Sequence, residues 1–243
     1  MALAVKKVNL VSWNCGGAFR KKCELVEKAF EPDLLVVQEC EDPARSTHAY
    51  REWAGEYLWL GDNKNKGIGI FDRTGIGLRA LEWDAGRLES FLPCILGNGV
   101  TLLAVWTKFA HSPNFRYIGQ MWKYLQAHRE KLASSQPVLV VGDFNSNTCW
   151  DEWDRWWNHS DVVRELSEIG IESFYHCHFN EVQGQESHPT LYHRRKEDKP
   201  YHVDYIFGSR EFCESSGMSL AVGEANEWLA YSDHMPMVVR LVR

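Results

Sequence analysis

A chain of 243 residues with 44% hydrophobic and 13% aromatic content is long enough for one large core, and its charged quarter belongs to a packed protein, not a disordered one. The formal net charge of −6 excludes a whole-molecule field that draws in nucleic acid, so a polyanion must meet a local basic patch or bound cations. Seven cysteines, without a Cys-x-x-Cys pair or zinc-like spacing to histidine, read as reduced, mostly buried thiols. The first residues have a short apolar run without an h-region followed by a cleavage site, and no run is long enough to span a bilayer. The expectation is a soluble cytoplasmic protein, residues 1–243 as a single domain, with no membrane and no obligate protein partner.

The alternation and β-branching of Val8–Trp13 predict a strand that stops at the turn signal Asn14-Cys15-Gly16-Gly17. Helical spacing over Cys23–Phe30, closed by Pro32, leads to Leu34-Leu35-Val36-Val37, an apolar run expected of a strand buried on both faces, and then to Glu39. Tyr57–Leu60, Gly67–Phe71, Phe91–Leu96 and Thr101–Trp106 read as further strands, separated by Gly, Asn or Asp as in the hairpins of a mixed sheet. Tyr117–Leu132 carries Ile118, Met121, Trp122, Leu125 and Leu132 at helical spacing. Pro137–Val141 is another buried strand, running into Gly142-Asp143-Phe144-Asn145. Val162–Ile169 suits a second amphipathic helix with Ser160 or Asp161 as its cap, and Tyr201–Phe207 and Met235–Leu241 are the closing strands. Locally pairing strands interrupted by few helices fit a layered α/β sandwich better than a regular alternation of strand and helix.

Several of these strands end in a residue able to bind a metal or move a proton: Asn14, Glu39, Asp143 with Asn145, Asp204, and the pair Asp233-His234. An acidic group directly after an apolar run is costly unless a cation, a donor or solvent meets it. Each alone is equally well read as a loop start, a tight turn or a cap. Together they supply what phosphodiester hydrolysis needs: an activated water, a cation on the nonbridging oxygens and help for the leaving oxygen. Glu39, Asn14 and Asp233 offer oxygen ligands suited to Mg²⁺ or Mn²⁺. Asp143 orients or deprotonates the water, and Asn145 donates to the phosphate without repelling it. His234, with an ordinary pKa of about 6.5, is the proton-transfer or phosphate-donor group, and Asp204 is the carboxylate that fixes its tautomer.

In identity and order these motifs resemble the endonuclease/exonuclease/phosphatase superfamily, from Asn14 to His234, with GDFN and the final SDH as the most specific part. The resemblance implies a four-layer α/β sandwich of two packed mixed β-sheets flanked by helices, and Mg²⁺-dependent hydrolysis by in-line attack of water. It also implies metal and phosphate binding at Asn14, the main metal ligand at Glu39 and a metal-proximal Asp233. Asp143 then orients the nucleophile with Asn145 as its partner, and Asp204 orients His234. Tyr117 is similarly placed to the tyrosine that contacts the scissile phosphate in abasic-site endonucleases, or it simply packs at a helix start; Lys108 is another candidate cation for the phosphate.

Two segments bear on substrate choice. Trp150, Trp153 and Trp157 would share one helical face after the catalytic loop, either stacking bases or forming a hydrophobic cluster. Arg194, Arg195, Lys196 and Lys199 precede Asp204 in a basic loop that would hold phosphates or be a solvated hairpin tip. The reading favours DNA or RNA as substrate. Its rivals are a phosphatase or phosphodiesterase acting on inositol phosphates, phospholipids or nucleotides, and an inactive binding module of the same fold.

Overall fold

The computed structural model describes residues 7–110, 112–215 and 217–242. The alternating first run becomes β1 (Lys7–Asn14), and α1 (Cys23–Phe30) returns the chain so that β2 (Leu34–Cys40) lies parallel to it. α2 (His48–Ala54), whose Tyr50 N–H donates to the capping Thr47 hydroxyl, leads into the hairpin of β3 (Glu56–Asn63) and β4 (Lys66–Asp72). A second sheet then starts with β5 (Leu78–Ala80), β6 (Phe91–Leu96) and β7 (Thr101–Trp106), after which α3 (Ile118–Ser134) crosses to β8 (Val138–Asp143), parallel to β7. α4 (His159–Glu168), β9 (Ile171–Ser173) and α5 (Phe174–Phe179) follow. A small hairpin of β10 (Leu191–Tyr192) and β11 (Pro200–Tyr201) precedes β12 (Asp204–Ser209) and α6 (Arg210–Glu214). β13 (Ser219–Val222), α7 (Ala225–Trp228) and β14 (Met237–Val242) return to the first sheet.

The two six-stranded sheets run β13-β14-β1-β2-β4-β3 and β5-β6-β7-β8-β12-β9. Each has a parallel pair at its centre, β1–β2 or β7–β8, with antiparallel neighbours outside it. The period-two alternation of a strand sorts side chains to opposite faces. Leu10, Leu34, Val36, Met237 and Val239 of one sheet therefore meet Leu102, Ala104, Leu139, Val141 and Ile206 of the other. Their neighbours Leu103, Val105, Val140 and Phe207 face α3 and α4, where Met121, Leu125, Val162 and Leu166 pack. Val11, Trp13, Leu35 and Val37 face Phe19, Val26, Tyr50 and Trp228. The result is helices, sheet, sheet, helices: the four-layer sandwich.

Four details depart from the sequence reading. The cap of α4 is Asn158, with Asp161 reaching back to its N–H from the third helical position, because this pairing satisfies two helix-end donors at once. The tryptophan segment is not a helix beyond Thr148–Trp150: the Asn158 side chain binds the Glu152 and Arg155 backbone, and the Asp151 carboxylate takes the His159 and Ser160 N–H groups. No shared helical face of Trp150, Trp153 and Trp157 forms. Cys177 on α5 and Cys213 on α6 are joined as a disulfide, so not all seven cysteines are thiols; Cys15, Cys23, Cys40 and Cys94 are buried free thiols and Cys149 is exposed. The short elements α2, α5, α6, α7, β5, β9, β10 and β13 carry too little periodicity to be read from sequence. Among the described residues no helix is long and apolar enough to cross a membrane.

Ile206, fully buried between the sheets, tests the packing directly. Ile206→Ala is expected to cost about 2–5 kcal/mol in denaturant unfolding; a loss well under 1 kcal/mol would contradict an inter-sheet core at this position.

Candidate active site

The C-terminal ends of both central parallel pairs lie on one edge of the sandwich, where antiparallel β12 begins and where the chain enters β14. That geometry alone gathers Asn14, Asp143, Asp204 and His234, from four separate stretches of chain. Gly142 makes the last approach possible. Its φ is +146°, and a Cβ there would lie 1.9 Å from the Val105 carbonyl oxygen. Asp143 is then paired in register with Trp106 on one side and Asp204 on the other.

Asp143 has no solvent exposure. Its Oδ1 accepts the Asn145 N–H at 2.8 Å, and its Oδ2 accepts the side-chain amides of Asn14 and Asn145, each at 2.8 Å. Asn145 takes a left-handed φ of 45°, which Asn tolerates better than most residues, and its amide also donates to the Thr107 carbonyl at 3.0 Å. His234 Nδ1 lies 2.8 Å from Asp204 Oδ2, and its Nε2 lies 4.0 Å from Asp143 Oδ2. The backbone around the histidine is pinned: its N–H donates to the Ser232 hydroxyl, its carbonyl accepts the Trp13 indole N–H, and Ser232 donates to the Asn14 carbonyl. Thr190 Oγ1 accepts the N–H groups of Val203 and Asp204.

Burial by itself would lower the pKa of His234, but the charges of Asp204 and Asp143 outweigh it and push it up to about 10. Burial, reinforced by the Asp204 charge, pushes Asp143 up to about 7 against the pull of His234 and the Asn14 and Asn145 donors. At neutral pH His234 is therefore an imidazolium held by Asp204, with Asp143 close to half-ionised beside it.

Asp143, Asp204 and His234 are close enough for metal ligation, with one potential ligand atom from each within 4.8 Å of the others. A protonated imidazole has no free lone pair, however, and Asp204 Oδ2 is already spent on it. Glu39 is better suited. It sits at a bulge in β2 with φ 64°, partly exposed, and its Oε2 is met at 2.9 Å by the Lys66 ammonium, a positive charge where a hard cation would stand. Asp204 Oδ1 is buried without a partner and adds a further unmet oxygen. The donor set fits a divalent cation with oxygen preference. Asn14 does not present itself as an oxygen ligand: its Oδ1 accepts the Gly16 N–H at 3.1 Å, and its Nδ2 faces Asp143 and, at 3.5 Å, Glu39 Oε1. The Asp233 carboxylate makes no hydrogen bond or ion pair among the described residues, while its carbonyl accepts the Tyr192 N–H.

Residues 11–234 match the model of the Endonuclease/Exonuclease/phosphatase family. The chain belongs to this family. It is accordingly a hydrolase acting on phosphate ester bonds. Similar folds are a 3′ phosphatase, NExo, from Neisseria bound to product DNA hairpin (TM-score 0.70, 15% identity, 96% of this chain and 98% of that one) and an AP endonuclease from Archaeoglobus fulgidus (0.69, 15%, 96% and 98%). Truncated TDP2 from Caenorhabditis elegans is similar too, with TM-score 0.66, 15% identity and 98% of each chain covered. At these identities the likeness is one of fold. No curated protein matches the chain in sequence.

Around the family's polar edge, the structure places the other candidates less uniformly. Tyr117 caps α3 with φ 53° and ψ −117°, a strained conformation for a non-glycine residue; its N–H donates to the Lys108 carbonyl and the residue is 41% exposed. Lys108 is not a free cation, since it is held by Glu89 at 3.0 Å and Asp62 at 3.4 Å. Trp150 lies against Tyr201, ring centroids 5.0 Å apart. Arg195 is turned to the Ala230 and Tyr231 carbonyls, whereas the exposed Arg194 has no partner among the described residues. Sequence reasoning missed Lys66, Thr107 and Thr190, whose neutral or distant groups carry no motif, and gave Ser232 of the SDH run no role of its own. It also missed Gln38, fully buried with both amide atoms unpartnered, which its place beside Glu39 could have flagged.

The clamp on His234 is testable in metal-free protein. Asp204→Asn removes a charge that raises the imidazole pKa, so His234 should titrate lower by about one unit or more in an NMR pH series. An unmoved pKa would contradict the pairing.

Proposed function

We propose that the chain, acting as one domain over residues 1–243, is a Mg²⁺-dependent nuclease that hydrolyses DNA or RNA phosphodiesters by in-line attack of water. The observation that carries this reading is the unexposed Asp143 carboxylate, 4.0 Å from a His234 ring whose far nitrogen is held by Asp204. Bound Mg²⁺, with Mn²⁺ as a substitute, supplies positive charge to the nonbridging phosphate oxygens and would be held by Glu39 and Asp233. Asp143 orients the attacking water and takes its proton; its raised pKa matches a base working near neutral pH. Asn14 and Asn145 keep the Asp143 carboxylate in one orientation, and Asn145 is placed to donate to the phosphate as charge develops. His234 carries a proton at the opposite side of Asp204 and serves the phosphate or the leaving oxygen as a charged donor. Tyr117, at the rim, is assigned a contact to the scissile phosphate.

Nucleic acid is favoured as substrate because two proteins of similar fold are described as a 3′ phosphatase bound to a DNA hairpin and an AP endonuclease. The basic tip around Arg194 gives a local positive charge that the net charge of −6 lacks.

Purified protein with Mg²⁺ is expected to cleave labelled DNA or RNA, and EDTA to abolish cleavage until Mg²⁺ is restored in excess. Asp143→Asn and His234→Ala should each lower kcat by roughly 10²–10⁴-fold with the circular dichroism spectrum unchanged. Glu39→Gln should raise the Mg²⁺ concentration for half-maximal rate. Full activity in EDTA, or in either of the first two variants, would overturn the assignment.

A further inference from the structure

We infer that the loops following β7 and β8 form a stacking surface for unpaired bases flanking the scissile phosphate, so that single-stranded nucleic acid is preferred to duplex; this rests on the nuclease reading above. The large aromatic side chains that the fold leaves in water are concentrated at one rim. Phe109 is 48% exposed, Tyr117 41%, Trp150 42%, Trp153 97%, Trp156 63% and Tyr231 39%, and all of them lie in loops that leave or enter the polar strand edge. Exposing rings of this size is unfavourable, and a fold that buries Trp13, Tyr50, Tyr124 and Phe207 elsewhere has the means to avoid it.

The two loops pack on each other into one surface. Phe115 lies 4.6 Å from Trp157, centroid to centroid, and Trp157 meets Trp156 edge-on at 4.8 Å. Trp157 also covers the first turn of α3, where a Cβ on Gly119 would lie 3.1 Å from its ring. Two cations sit on aromatic faces of this surface: Arg116 over Phe109 at 5.8 Å and Lys123 over Phe115 at 4.0 Å. Neither has a carboxylate within ion-pair distance among the described residues, unlike Lys108 on the same loop as Arg116, so both are free for phosphate. The surface begins at the reacting centre, since the Thr107 carbonyl anchors Asn145 and the Lys108 carbonyl anchors the Tyr117 N–H.

Open aromatic faces beside unpaired cations match a strand whose bases are free to stack while its phosphates are neutralised. Bases in a duplex are already stacked on each other and offer this surface only their backbone. The chemistry therefore selects unpaired nucleotides, with little dependence on sequence because every base has a π-face.

The test uses the full chain with Mg²⁺, one labelled oligonucleotide free or annealed to its complement, and bis(p-nitrophenyl) phosphate. Wild type should cleave the free strand with the lower KM. Trp156→Ala, Phe109→Ala and Arg116→Ala, all at exposed positions, should each raise that KM about tenfold with kcat little changed and narrow the preference over duplex. Glu211→Ala, exposed on α6 at the end of β12 opposite to Asp204, should keep the wild-type KM. A wild-type KM in all three rim variants, or a wild-type preference for duplex, overturns the inference while nuclease activity stands. Hydrolysis of bis(p-nitrophenyl) phosphate without cleavage of either oligonucleotide overturns the nuclease reading, and this inference with it.

Discussion

A carboxylate without solvent must be met by donors, and Asp143 is met from both sheets: by the Asn14 amide of β1, by the backbone and amide of Asn145 after β8, and by the His234 ring before β14. Leaving such a group unpaired in an apolar setting would cost several kcal/mol. The sandwich must therefore close in one register for the site to exist, and the site in turn penalises any other register. Gly142 shows how tight the requirement is, because the Val105 backbone occupies the space a side chain would need.

The same burial sets the proton inventory. Asp204 and His234 share a 2.8 Å contact, and burial, reinforced by the Asp204 charge and opposed by that of His234, keeps Asp143 from being a simple ionised acid. Glu39 is the opposite case, partly exposed at a bulge and neutralised by Lys66 across the β2–β4 pair. The Lys66 ammonium lies at the same time over the Trp106 ring, 5.5 Å from its centroid. One edge of the fold thus has a buried half around Asp143, Asp204 and His234 and a more exposed half around Glu39 and Lys66.

Much of this was legible in the residues. The bounds of β6 and β7 coincide with the apolar runs Phe91–Leu96 and Thr101–Trp106, because those strands are buried on both sides and end abruptly in polar residues. Polar groups after apolar runs pointed to Asn14, Asp143, Asp204 and His234, since little else makes such placements affordable. The orientation of the Asn14 amide was not legible: an amide offers an oxygen or a donor, and only the neighbours decide. Lys66 and Lys108 were opaque for the same reason, their partners being fixed by strand pairing and not by local sequence. The tryptophan run misled because its spacing suits a helix, whereas Asn158 and Asp151 hold its backbone in bends. The Cys177–Cys213 bond joins helices 36 residues apart in sequence, a separation that carries no motif.

In the proposed function Asp143 directs water at phosphorus in a single displacement, with no covalent enzyme intermediate. Cleavage of an oligonucleotide bearing one phosphorothioate of known configuration, run in ¹⁸O-water, tests it most directly. A single in-line attack predicts one ¹⁸O in the product and inversion at phosphorus. Retention of configuration would contradict the account, because it requires two displacements and a nucleophile from the protein.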